Sequence, residues 1–282
     1  MIKIKNLKPA LGITFFLMLS LISVGMKAQT YTELYDQGLA FAKADSLNKA
    51  EVFFKRALKL EPGNLHNAIV FSNLGTIQRR LGKPEAAVES YTLALNLSPK
   101  NVPILTNRAS LYLEVGNTER ALVDYSDVLD LNKENPEALL FRAYIFQKQG
   151  SYKDAEKDYV KLLEVQPGNV SGRLGLATLY QKEKKHKESL DLLNKLIADN
   201  PGEAEYYVAR ADLEKEMQHP ELAFADLEHA LKLNPTFADA YVLRGELYLE
   251  QKQKSLARSD FEKAISLGIN PNDLQEQMKK AK

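Results

Sequence analysis

The sequence contains no cysteine and no tryptophan. Without thiols there can be no disulfide, no thiolate metal site, no thiol nucleophile and no lipidated N-terminal cysteine, so the fold must rest on apolar packing alone. An excess of one charge is also missing, since 38 Lys and Arg stand against 37 Asp and Glu. No overall positive field is available to hold a polyanion, which argues against nucleic acid as a partner. There is no Gly-rich phosphate loop, no GxSxG elbow and no HExxH, and His66, His186, His219 and His229 show no metal-ligand spacing. No enzymatic role, cofactor or metal is therefore expected. What is present, 45% hydrophobic and 27% charged residues over 282 positions, is the make-up of a folded soluble chain.

The N-terminus reads differently. Lys3, Lys5 and Lys8 precede an uncharged apolar run from Ala10 to about Gly25, the layout of a secretory signal. The run is short of the ~20 residues a spanning helix needs. Residues 1–28 are expected to be a signal peptide cut after Ala28, with a cut after Gly25 or an uncleaved inner-membrane anchor as the alternatives. Cleavage after Ala28 leaves 34 bases against 37 acids, a formal charge of −3. The location implied is outside the cytoplasm, in the periplasm.

Beyond this segment the sequence repeats itself. Ala50, Ala87, Ala121, Ala155, Ser189, Ala223 and Ala257 recur at intervals of 34, the first interval being 37. Four residues after each comes a large apolar side chain, namely Phe54, Tyr91, Tyr125, Tyr159, Leu193, Leu227 and Phe261, and three further on Ala57, Ala94, Val128, Leu162, Leu196, Ala230 and Ala264. Steps of four and three place each set on one face of a helix. Pro62, Pro99, Pro167, Pro201 and Pro235 then end the segment, because proline cannot donate to the helix ladder. Twelve positions before each alanine, Gly38, Gly75, Ala109, Ala143, Ala177, Ala211 and Gly245 mark a second helix, whose small residues allow close crossing in an antiparallel pair. Gly82, Gly116 and Gly150 lie in the turns between the two.

Leu34, Gln37, Gly38, Phe41, Ala50, Phe54, Ala57 and Pro62, and again Tyr241, Gly245, Tyr248, Ala257, Phe261 and Ala264, resemble the tetratricopeptide repeat pattern. The resemblance implies an all-α, right-handed superhelical solenoid of about seven helix hairpins, framed as 31–64, 68–101, 102–135, 136–169, 170–203, 204–237 and 238–271 within 29–271. A C-terminal capping helix over 272–282 would use Leu274, Met278 and Ala281 as its apolar stripe. Departures are the missing tryptophan, Lys133 where proline is usual, and Ser189 with Leu193 in the fifth repeat. Residues 63–67 lengthen one connector by three positions, a place where the first repeat can loosen from the rest.

Arg108 with Asp124, Arg142 with Asp158, Arg210 with Asp226 and Arg244 with Asp260 are each 16 apart, and the other repeats lack both partners. Presence or absence together is the signature of a contact, so these are read as structural ion pairs rather than as a row of arginines for phosphates. The resemblance further implies that first helices line a concave face. Tyr35, Arg79, Arg80, Thr106, Tyr144, Lys148, Gln181, Asp212, Glu216, Glu246 and Glu250 are then the partner-binding candidates, with the acidic C-terminal end suited to a basic segment. The lysine and asparagine clamp that this family uses for chaperone tails is absent. The expected role is a non-catalytic scaffold or adaptor of the cell envelope that binds a protein or peptide. A glycan- or peptidoglycan-binding solenoid, with Tyr35 and Tyr144 as stacking platforms, and a membrane-anchored architectural component are the alternatives.

Overall fold

The computed structural model describes residues 29–282; the expected signal segment, 1–28, lies outside the described residues. Every regular element among the described residues is helical, and none of these helices is long and apolar enough to cross a membrane. The chain divides into two compact units, one ending at Ile104 and one beginning at Leu105.

In the first unit α1 (Tyr31–Lys43) pairs with α2 (Leu47–Leu60), and α3 (Asn67–Arg80) with α4 (Pro84–Leu97). Thr30 opens α1 with a capping box: its hydroxyl accepts from the Glu33 amide, and the Glu33 carboxylate accepts from the Thr30 amide at 2.9 Å. Tyr31, Leu34, Ala50, Phe54, Ala57, Val70, Leu74 and Ile77 form the core. The lengthened connector is not a loose joint. Buried Asn67 donates to the carbonyls of Glu61 and Pro62, both at 2.9 Å, and accepts from the Tyr31 hydroxyl at 3.0 Å. One amide thus satisfies the exposed carbonyls of the second-helix end and bolts it to α1.

A polar cluster crosses the same unit. The Glu51 carboxylate accepts from Lys55 at 2.6 Å, Lys83 at 2.7 Å and Gln78 at 3.5 Å, and Ser90 donates to Gln78 at 2.7 Å. Burial pushes the Glu51 carboxyl up, but the hydrogen bonds from Lys55, Lys83 and Gln78 outweigh it and hold it down at about 2. A depressed carboxyl adds stability that is complete above its unfolded value and is lost as pH falls through the folded one. Glu51→Gln is therefore expected to cost about 1–3 kcal/mol at neutral pH, the range for a broken buried hydrogen-bond network. Denaturation followed by circular dichroism should show wild type and variant converging as pH falls from 4.5 toward 2; a constant gap across that window would remove the carboxylate from the account.

The second unit holds most of α5 (Val102–Glu114), followed by α6 (Thr118–Leu131), α7 (Pro136–Lys148), α8 (Tyr152–Val165), α9 (Val170–Lys182), α10 (His186–Asp199), α11 (Ala204–Glu216), α12 (Pro220–Leu233), α13 (Ala238–Glu250) and α14 (Lys254–Ser266). Side chains of Asn117, Asn135 and Asn169 cap α6, α7 and α9. On the second helices of both units, the small residue, the large residue four on and the apolar residue three further are never more than 2% exposed. The turn after each first helix needs a left-handed residue, which Gly82, Gly116 and Gly150 supply at φ +69, +77 and +78. Asp45, Lys184, Gln218 and Lys252 adopt the same conformation at φ 56 to 62, a strain of about 1–2 kcal/mol each.

The C-terminal segment begins as a 3-10 turn, Pro271–Leu274, and only then becomes α15 (Gln275–Lys280). The Asn270 side chain accepts from the Asn272 amide at 3.0 Å, and Pro271, without an N–H, fits the tight entry. Leu274, Ala281 and the half-buried Met278 cover Ala257, Phe261 and Ala264.

Candidate functional site

The four arginine–aspartate pairs join the first helices α5, α7, α11 and α13 of the second unit to their partner helices, while α9 carries Leu176 and faces Leu192 instead. Arg108, Arg142, Arg210 and Arg244 each donate through Nε and Nη2 to both oxygens of Asp124, Asp158, Asp226 and Asp260, at 2.7–2.8 Å. The aspartates are buried, and the hydrogen bonds they accept hold the guanidinium groups above their ordinary value. Arg142 and Arg210 also reach back 16 residues, to Ser126 at 3.5 Å and Asn194 at 2.7 Å. Each of these two forks therefore fastens three helices, and its donors face inward rather than toward a ligand.

The first helices α7 and α9 lie side by side and leave a hollow of about 480 Å³ between them. Leu140 and Phe141 line it from α7, and Leu174 and Gly175 from α9. Tyr159 reaches it from α8. A Cβ on Gly175 would fall 2.6 Å from the Tyr159 ring, so only glycine there lets the ring lie in place. The Tyr159 hydroxyl donates to Gln147 at 3.0 Å, and burial, with Tyr144 adding to it, pushes the phenol up to about 12. It is a fixed neutral donor, not an acid. Tyr144, 43% exposed, and Thr178 stand on the wall with Lys148 and Lys182. The Lys148 ammonium lies 5.5 Å from the centre of the Tyr144 ring. Lys148 and Lys182 are exposed and make no ion pair among the described residues.

A second, shallower hollow of about 360 Å³ lies between α11 and α13, with Val208, Ala209, Phe237, Val242 and Leu243 below and Glu205, Asp212, Asp239 and Glu246 around it. These acids are partly answered within the unit. Gln181 donates to Asp212 at 2.9 Å and Glu216 at 3.0 Å, Lys184 pairs with Glu216, and Lys215 lies 2.5 Å from Glu246 and 3.7 Å from Glu250. The hydrogen bond from Lys184 draws the Glu216 carboxyl down, against its burial. The C-terminal end is thus less acidic than its own inner-face residues imply, because the compensating lysines come from a helix end and from the turn at Lys184.

The remaining candidates are scattered. Tyr35 is half-buried, tilted against Phe54 at 6.0 Å, and accepts from Asn73 at 3.3 Å. Arg80 is held by Asp45 at 2.6 Å, and Arg79 is half-buried with contacts of its own. Thr106 is buried rather than offered to a partner. It occupies the register of Leu140 and Leu174, whose side chains form the floor between first helices and not the rim.

Models described as tetratricopeptide repeat match residues 68–101, 106–161, 146–213, 204–237 and 227–259. A solved tetratricopeptide repeat protein from Parabacteroides merdae ATCC 43184 is 41% identical, with 89% of this chain and 98% of that one covered and a TM-score of 0.75. Pseudomonas aeruginosa pilF is 19% identical over 77% of this chain and 97% of its own, with a TM-score of 0.61. YrrB, described as a TPR protein with an unusual peptide-binding site, is 18% identical over 66% and 95%, at 0.56. The latter two show the fold alone. No curated protein matches the sequence.

Proposed function

The chain belongs to the tetratricopeptide repeat family, and on that footing we propose that it is a non-catalytic scaffold of the cell envelope that captures a segment of another protein. The seat of capture is the hollow between α7 and α9. One observation carries this: an open apolar depression of about 480 Å³ is built from first-helix side chains and held in shape by Gly175 and the Tyr159–Gln147 hydrogen bond. A bulky side chain set into it would lose water on most of its surface, the main source of affinity for a short segment. The peptide-binding site of YrrB, on the same fold, supports the reading. The envelope location rests on the basic and apolar composition of residues 1–28.

The test is photo-crosslinking in the producing cell with the crosslinker at Tyr144 and, as control, at Val123, which is 59% exposed on the second helix α6. A protein adduct is expected from position 144 and not from 123. Thr178→Trp fills the hollow from an exposed site whose hydroxyl bonds only the Leu174 carbonyl at 2.9 Å, and should cut that adduct at least ~10-fold, the effect of losing one apolar anchor, with helicity unchanged. An adduct equally strong in the filled variant would sink the assignment. Cell fractionation with N-terminal sequencing is expected to find Gln29 as the first residue in the envelope fraction; a cytosolic chain beginning at Met1 would refute the location.

A further inference from the structure

The hollow between α7 and α9 has one sign of charge. Apart from its two tyrosines, Tyr144 and Tyr159, the ionisable side chains on its wall are Lys148 and Lys182, and no carboxylate lines it. The two lysines are 34 positions apart and each is the last residue of its first helix, so they stand in the same place on neighbouring hairpins. Neighbouring first helices treat that place differently: it is Glu216 in α11 and Glu250 in α13, and both of these carboxylates already face lysines of their own unit. Lys148 and Lys182 face none. Holding two uncompensated ammonium groups at the rim of an apolar depression costs self-repulsion, which a carboxylate brought in by a ligand would relieve.

We propose that this hollow selects an acidic segment, in which a bulky apolar side chain enters between Leu140, Leu174 and Tyr159 while one or two carboxylates beside it meet Lys148 and Lys182. The inference rests on the capture site proposed above and adds the chemistry of what is captured. It reverses the charge expected from the inner-face acids. Those acids border the shallower hollow, where Asp212 and Glu246 are already engaged by Gln181 and Lys215. Glu205 and Asp239, which border the same shallower hollow and are not engaged in this way, disfavour a ligand carboxylate over α11 and α13 and so favour its placement over α7 and α9.

The experiment uses the full chain as bait for a displayed random peptide library, followed by affinity measurements on the enriched peptides. Enriched sequences are expected to carry Asp or Glu within two positions of an aromatic residue or leucine. Replacing the two exposed lysines together, Lys148→Ala with Lys182→Ala, should weaken such a peptide roughly tenfold and flatten its salt dependence, as loss of rim charge does. Glu205→Gln with Asp239→Asn should leave its affinity the same or slightly higher. Basic or charge-indifferent enriched sequences that Thr178→Trp still blocks would overturn the charge inference and leave the capture site standing. No enrichment, or enrichment that Thr178→Trp does not touch, would overturn both.

Discussion

Asp158→Ala is expected to lower the unfolding free energy by about 3–5 kcal/mol, the cost of leaving one member of a buried ion pair alone. The Asp158 side chain is 3% exposed and that of Arg142 21%. Deleting the carboxylate strands a guanidinium that keeps a 3.5 Å hydrogen bond to Ser126 and a place 5.7 Å from the centre of the Phe146 ring, but no bidentate acceptor. The pair itself need not be worth that much, because both charges were taken out of water to make it. Arg142→Met combined with Asp158→Leu should therefore cost less than Asp158→Ala by itself. Glu262→Ala is the control, since Arg258 and Glu262 are each 54% exposed at a similar 2.8 Å, and exposed pairs on a helix are worth about 0.5 kcal/mol or less. Urea denaturation followed by circular dichroism gives all three differences from wild type. If Asp158→Ala costs no more than Glu262→Ala, the forks are ornaments on the fold and not fasteners.

Why the arginine–aspartate pairing is legible from one chain, while the hollow is not, comes down to how many times each is written. A contact between positions 16 apart occurs in several hairpins and is lost from others as a unit, so the sequence contains its own controls: Gln37 with Phe53, and Leu176 with Leu192, lack both partners. The buried face of the second helices is legible for the same reason. The hollow is written once. It needs Gly175, which lies two residues before the small residue Ala177 at the helix crossing, and a ring from α8 that meets α9 only after the hairpins stack. Leu140, Phe141 and Leu174 read as ordinary core residues, and nothing local says that their edges stay open.

Charge fails in a related way. Glu216, Glu246 and Glu250 stand at inner-face positions of the first helices, but the lysines that answer them lie elsewhere in sequence. Lys184 and Lys215 stand 32 and 31 residues from Glu216 and Glu246. Lys184 occupies a strained turn that composition does not single out. A signal was available, however. The last residue of the first helices runs Lys43, Arg80, Glu114, Lys148, Lys182, Glu216, Glu250, and within the second unit Lys148 and Lys182 are the successive like cations of this series, with an apolar hollow between them. The connector at 63–67 misleads in the opposite sense. Gly, Asn and His suggest slack, whereas the Asn67 amide makes three hydrogen bonds and is 1% exposed.

Phe261→Ala should be comparably severe, at about 3–5 kcal/mol for a fully buried ring, but its effect should be confined to one end. Phe261 is 0% exposed and packs with Ala257, Ala264, Leu274 and Ala281, so its removal strips α15 of its seat together with the α13–α14 hairpin. Stacked repeats share stability with their neighbours alone, and a lesion in the last one frays from that end instead of unfolding the whole. Hydrogen exchange is expected to accelerate in α13, α14 and α15 while the amides of α7 and α8 keep their protection. The crossing partner of Phe261 supplies a sharper version of the test. A Cβ on Gly245 would lie 2.5 Å from the ring. Gly245→Ala, which on helix propensity alone would gain ~1 kcal/mol, should instead lose about 1–3 kcal/mol to overpacking. Adding Phe261→Leu should recover part of that loss, because Leu193 and Leu227 occupy the same register against Ala177 and Ala211 and are buried without strain on a glycine. A stabilising Gly245→Ala, or strictly additive losses in the pair, would show that the helix crossing has room to spare and that its glycine is not set by the ring it faces.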